Sequence, residues 1–347
     1  MRRKLSILLA VLLLISLLSG CDDKEDTAET ESWPTATAAP AEKETEAPET
    51  ETAEEDEAED PEEETEETEV EPLRTAVIRS GDEQLQAAYI LLAVNPEGPF
   101  HSEELTFNDK GAEALVRWLL AEESRTKLES FGLEAYGEAV FMLPEKPTNY
   151  LGWIPDATEE TKVIDLVVAD TLEESGVLEE LLEAFEETYG YQVQVQTTSA
   201  SGTLTIAKLG IFDLVLTEKS DATDSFVAEG YARVLNGFKE EAIPLCNTEY
   251  LLCGPQDDPA GAADAQTLAD AFAAIAKTES RFLSRGDDSS IHKLEKSLWP
   301  AGQEFGAWYL NVETEAGPLL VMNEFEGGYL LTDKLTWLIF HHNNGII

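Results

Sequence analysis

The chain has 347 residues and a formal net charge of −48, from 71 acidic and 23 basic side chains. Such an acidic excess makes nucleic acid and anionic lipid surfaces poor partners for the folded part. Three cysteines and four histidines leave no CxxC pair and no Cys/His metal spacing.

The first 21 residues read as a targeting segment. MRRK is a basic n-region, LSILLAVLLLISLLS an apolar h-region, and Leu18-Ser19-Gly20-Cys21 follows. Small residues before a cysteine at that place resemble a bacterial lipobox, which implies cleavage before Cys21 and a lipid on its sulfur. The apolar run is too short for a transmembrane anchor. Residues 22–72 hold 24 acids and two lysines. They contain almost nothing able to offset the entropy of chain ordering, so a disordered, self-repelling linker is expected. Its reach is on the order of 40–60 Å.

Residues 73–347 suit two lobes around a cleft. They begin with AAYILLAVNPEG, a strand ending in a turn, and NDKGAEALVRWLLAEESRTKLESFG, one amphipathic helix capped by Asn108 and ended by Gly132. Residues 146–162, with two prolines and no periodicity, read as a connector. Strands and helices then alternate. IDLVVAD is an apolar strand, SGVLEELLEAFEETYG a helix, and YQVQVQT a strictly alternating strand. A short helix at LTIAKLG, the strand FDLVLT and a helix at TDSFVAEGY follow. The strand through LLCGP, the helix ADAQTLADAFAAIAKTES, FLSRGDD and the helix HKLEKSLW complete the run. The pattern predicts an α/β fold whose ligand lies outside the carboxyl ends of strands. Cys246 and Cys253 fall at opposite ends of one strand, about 23 Å apart. They are therefore read as unpaired core residues.

Three helix-start loops can offer N–H groups, hydroxyls and one arginine to an oxyanion: 169–176, 198–204 and 284–292. Each hydrogen bond to a charged ligand contributes about 1.5–3 kcal/mol, so several in a closed cleft suffice for tight binding. The other reading of Arg285 has Asp287 or Asp288 fix it to shape a turn, with Asp288 as helix cap. Ser290-Ile291-His292-Lys293 fits S-x-x-K, but no KTG or SDN partner exists. G-x-S-x-G, Walker A, HExxH and EF-hand patterns are absent. No catalytic residue, metal or cofactor is expected, and His341-His342 reads as a polar helix end.

From 163 to 340 the chain resembles the tungstate-binding proteins of bacterial ABC transporters. The segments that carry this are SGVLEELLEAFEETYGYQVQV, FVAEGY, GPQDDPAG, FLSRGDDSSIHKLEKSLW, WYL and YLLTDKLTW. IRSGDEQLQAAYILLAVNPEG and GAEALVRWLLAEESRTKLESFG resemble that family's C-terminal crossing strand and last helix, here placed first. The resemblance therefore implies a circularly permuted, two-lobed periplasmic-binding-protein fold of class II type. The lobes would be linked by strands at roughly 244–255 and 86–95. Residues 73–145 would be the permuted C-terminal part, 146–162 the connector, 163–245 the first lobe and 246–347 mainly the second. Ile346 and Ile347 would lie near Val77 and Ile78.

The resemblance further implies ligand contacts from Thr171, Ser199, Ser201, Ser284, Arg285, Asp288, Ser289 and Ser290. It implies a small oxyanion as ligand, an ABC permease as partner, membrane attachment through Cys21, and a monomer outside the cytoplasm. The match departs from the family at the loops themselves. Where the family shows TTTST this chain has Val168-Ala169-Asp170-Thr171-Leu172, and Ser290 and Ile291 replace its Gly and Thr. Asp170 would repel an anion unless neutralised. The alternative is a degenerate binding-protein fold that serves as a surface interaction or sensory module.

Overall fold

The computed structural model describes residues 73–101, 105–148, 152–173 and 175–345, and the side chains of all of these but Asp170 and Thr171. The targeting segment, Cys21, the acidic linker and Ile346–Ile347 lie outside the described residues.

The first strand, β1 (Thr75–Arg79), and a single 3-10 turn at Glu83–Leu85 lead into β2 (Gln86–Ala93). Three helices follow: α1 (Asp109–Leu119), α2 (Glu122–Ser130) and α3 (Leu133–Tyr136). After the connector come β3 (Val163–Ala169), α4 (Asp170–Glu173), α5 (Val177–Tyr189), β4 (Gln192–Thr198), α6 (Ala200–Ala207), β5 (Leu214–Glu218) and α7 (Asp221–Ala228). The long β6 (Ala242–Pro255) precedes α8 (Leu268–Thr278), β7 (Phe282–Ser284), α9 (Ser290–Leu298), β8 (Tyr309–Asn311), α10 (Ala316–Glu326), β9 (Leu330–Asp333) and α11 (Lys334–His342).

Seven strands form one sheet in the order β1-β6-β2-β5-β3-β4, with β9 also on β6. β3 pairs in parallel with β4 and β5, whereas β2 is antiparallel to β5 and β6. β6 belongs to two halves of this sheet. Its residues 242–249 pair with β2, and its residues 250–255 pair with β1 and β9. It is thus one link between two lobes. The second link lies earlier in the chain than the expected 86–95. β2 is paired inside the first lobe from Gln86 to Leu92, and the passage occurs at residues 80–85, between β1 and β2.

Both faces of the first lobe's sheet are covered. Leu91, Ala93, Leu166, Val168 and Leu216 pack with Leu115, Trp118, Leu119, Leu181 and Phe185 of α1 and α5. Ile90, Leu92, Val167 and Val215 face Leu204, Ala207 and Phe226 of α6 and α7. The second lobe is built around Phe272, Phe282, Trp299, Trp308 and Tyr329. Burial on two faces explains why β2 and β3 read as apolar runs rather than alternating strands.

The helix expected over 108–132 is two helices. Asn108 caps α1, accepting from Gly111 N–H at 2.9 Å, but the chain turns extended at Ala121 before α2 starts. Leu115, Val116, Trp118, Leu119 and Leu120 are all buried, a stripe too wide for one straight surface helix. The bend at Ala121 lets Leu128 join the same core. Gly132 does end the pair, with φ of +90°. Cys246 and Cys253 are unbonded and buried, and burial pushes the Cys246 thiol up to about 12.

The two ends of the described fold meet. A Cβ at Gly345 would stand 2.9 Å from Leu73 Cδ2. The N–H groups of Arg74 and Thr75 both donate to the Glu324 carboxylate of α10, at 2.9 Å each.

Candidate anion site between two helix starts

The parallel register sets Val168 beside Thr197 and Ala169 beside Thr198, so the loops after β3 and β4 leave the same edge of the sheet. The first of these loops opens with Asp170 and Thr171 in the single turn α4. The second begins α6. Ser199 caps it, accepting from Gly202 N–H at 3.3 Å. The Thr203 and Thr217 hydroxyls meet at 3.1 Å, and the Ala200 carbonyl lies within 2.6 and 3.3 Å of them. Gly202 permits a close approach here, because a Cβ on it would lie 2.5 Å from Thr198 Oγ1.

The third loop belongs to the second lobe. β7 ends at Ser284, whose Oγ is buried and has no hydrogen-bond partner among the described residues. Arg285 follows and turns back onto Asp287, with Nε and Nη2 at 2.8 and 2.7 Å from the same carboxylate oxygen. The other Asp287 oxygen accepts from Ser289 N–H at 3.1 Å. Burial acts to raise the Asp287 pKa. The Ser289 hydrogen bonds and the Arg285 charge outweigh it and hold the acid below its usual range.

Asp288 adopts φ of +56° and is not the helix cap. Ser289 caps α9 instead, accepting from His292 N–H at 3.3 Å, because the left-handed residue before it turns the Asp288 side chain out of reach. That side chain is 76 % exposed and pairs with Lys296 at 3.1 Å, while the Asp288 N–H donates to His292 Nδ1 at 2.9 Å. Ser290 is the first helical residue. The turn rests on a buried polar layer, in which Glu295 Oε1 accepts from Tyr309 Oη at 2.8 Å and Trp299 Nε1 at 3.1 Å.

The second and third loops come together across the lobes. Lys293 Nζ donates to Ser201 Oγ at 3.0 Å, joining the first turns of α9 and α6. Of the residues singled out in the sequence, Ser199, Ser201, Ser289 and Ser290 thus stand at two facing helix starts. Ser284 and Arg285 form the base of the third loop, and the Asp288 carboxylate lies on its outer side. Lys293, Gly202 and Thr198 were missed. Lys293 lies four residues after the cap, on the face of the helix that the cap occupies, and that spacing was the signal.

Two helix N-termini, several hydroxyls and an ammonium make a setting for a small anion. Among the described residues no group of His, Cys, Asp and Glu can hold a metal. Below the loops, Tyr250 of β6 donates to Glu218 Oε2 of β5 at 2.8 Å. Burial first, then the Glu218 charge, drives the Tyr250 pKa well up. Near the passage between β1 and β2, Gly81 N–H donates to Glu249 of β6 at 3.0 Å. Lys334 lies 3.7 Å from the same carboxylate and 2.8 Å from Glu138.

A family model described as a PBP superfamily domain matches residues 156–338, just over half of the chain. An assigned ABC-transporter anion-binding protein of Haloferax volcanii is 30% identical over 185 residues, 53% of this chain and 52% of its own length. The tungstate-binding protein TupA of Peptoclostridium acidaminophilum is 26% identical over 195 residues, 55% of this chain and 66% of its own. The chain therefore spans between half and two thirds of these relatives. The solved tungstate ABC transporter structure from Geobacter sulfurreducens is 28% identical, covering 52% of this chain and 75% of that one, with a TM-score of 0.41.

Proposed function

The chain belongs to the PBP superfamily, and from that premise we propose that it is an extracytoplasmic solute-binding lipoprotein. It captures a small oxyanion, tungstate or one like it, and delivers it to an ABC permease. The two lobes close over the ligand by hinging at β6 and at residues 80–85. A lipid on Cys21 and the acidic linker hold the monomer at the membrane. The reading involves no catalysis and no cofactor.

The observation that carries this reading is the meeting of α6 and α9 at Ser201 and Lys293, 3.0 Å apart, one from each lobe. The names of the relatives supply the ligand class and the transporter. In the same reading the chain is a circular permutant of that family. The contact between Leu73 and Gly345 supports it, since the family's segment is continuous where this chain has its ends.

One observation favours a second reading. The Arg285 guanidinium is already neutralised by Asp287, which suits a turn in a binding-protein fold that now serves as a surface interaction or sensory module.

Calorimetric titration of the compact unit Glu67–Ile347 with tungstate, molybdate, sulfate and phosphate decides between them. The oxyanion reading expects one anion to bind with a submicromolar Kd, about −8 kcal/mol or better. No heat from any anion, with an intact cooperative melt, would leave the second reading.

A further inference from the structure

We propose that Lys293 is the cation that carries the charge of the bound oxyanion, and that it selects doubly over singly charged tetrahedral anions. The inference deepens the oxyanion reading and rests on it.

The argument begins with the cations of the third loop and α9. Arg285 directs both its Nε and its Nη2 to one oxygen of Asp287. Lys296 is paired with Asp288 at 3.1 Å. Lys293 is different, for its partner is Ser201 Oγ, a neutral hydroxyl. Asp288 is the nearest acid to act on it, and that carboxylate has Lys296 closer. Lys293 therefore brings a nearly whole positive charge to the meeting point of the lobes, while Arg285 brings little net charge.

Its position adds to this. Ser289 caps α9 and Lys293 follows one turn later, so the ammonium stands on the side where the helix exposes its first N–H groups. Ser201 occupies the first turn of α6 on the other lobe. An oxyanion placed between them accepts from Ser201 Oγ and from first-turn N–H groups on both helices. It also takes the ammonium contact that Ser201 now holds. Neutral donors serve a singly charged anion nearly as well as a doubly charged one. A full charge does not, since its attraction scales with the ligand's charge. An ammonium is a compact point charge on a flexible stem, so it can follow the anion as the lobes open and close.

The test uses Glu67–Ile347 with two tetrahedral anions of similar size, tungstate (charge −2) and perrhenate (charge −1). The proposal expects the unaltered protein to bind tungstate more tightly. Lys293→Met keeps the apolar stem and removes the charge. It should weaken tungstate binding about 10–100-fold, weaken perrhenate binding much less, and so shrink the ratio between them. Lys293→Arg should restore most of that ratio. Both variants should melt with the parent, because Lys293 is exposed. Tungstate binding unchanged in Lys293→Met overturns this inference and leaves the oxyanion reading standing. An equal loss for both anions also overturns it, showing a shape role rather than a charge role. No binding of either anion by the unaltered protein overturns the oxyanion reading, and this inference with it.

Discussion

Arg285 and Asp287 act as one unit, and the consequence reaches beyond the turn they shape. The Asp287 carboxylate holds Arg285 with one oxygen and the Ser289 N–H with the other, so it fixes both the arginine and the residue that caps α9. Its folded pKa lies below the ordinary value. A depressed carboxylate contributes stability above its unfolded pKa, near 4, and loses it as pH falls through the lower folded value. Thermal melts at pH 7 and at pH 3 should therefore show Asp287→Asn clearly destabilised at the first and closer to the parent at the second. An equal deficit at both would rule out this linkage. Gly202 supplies a second residue-scale prediction. Gly202→Ala forces the Thr198 side chain aside, which costs about 0.5–1.5 kcal/mol in rotamer strain. Its melting temperature should fall only slightly, while oxyanion affinity measured by calorimetry should fall several-fold.

At the scale of elements, β6 is the strand on which the lobes depend. Its first part is held by β2 and its last part by β1 and β9, and Tyr250 stands where these pairings change over. The Tyr250 hydroxyl donates to the buried Glu218 from the end of β5. Tyr250→Phe leaves that carboxylate with one donor fewer in a dry place, which should cost about 1–3 kcal/mol in urea unfolding. An unchanged midpoint would mean that Glu218 is satisfied without it. Helix starts were the most legible elements. Asn108, Ser199 and Ser289 each accept an N–H at the beginning of a helix, and this chemistry is local enough to read from a few letters. The break between α1 and α2 was not legible. No glycine or proline marks Ala121; the bend answers to the width of the buried stripe, which only packing against α5 and the sheet makes visible.

For the whole molecule, the meeting of Leu73 with Gly345 makes chain order a matter of connection more than of packing. Joining those two positions by a short linker and opening the chain within the connector should yield a protein that folds cooperatively, with a melting temperature within about 10 °C of the parent. Loss of folding would count against the permutant reading. Sequence alone determined the α/β alternation, the helix caps, the unpaired cysteines, and the three loops rich in hydroxyls around Arg285. All of these depend on periodicity, strand length or residues a few positions apart. The tertiary structure alone decided which acid holds Arg285, where the chain passes from lobe to lobe, and that Lys293 reaches Ser201. The physical reason is distance along the chain. Asp287 and Asp288 are equal candidates until the left-handed turn at Asp288 sends one inward and the other outward. Ser201 and Lys293 stand on different lobes, and only the folded sheet and its crossing strands bring them to 3.0 Å.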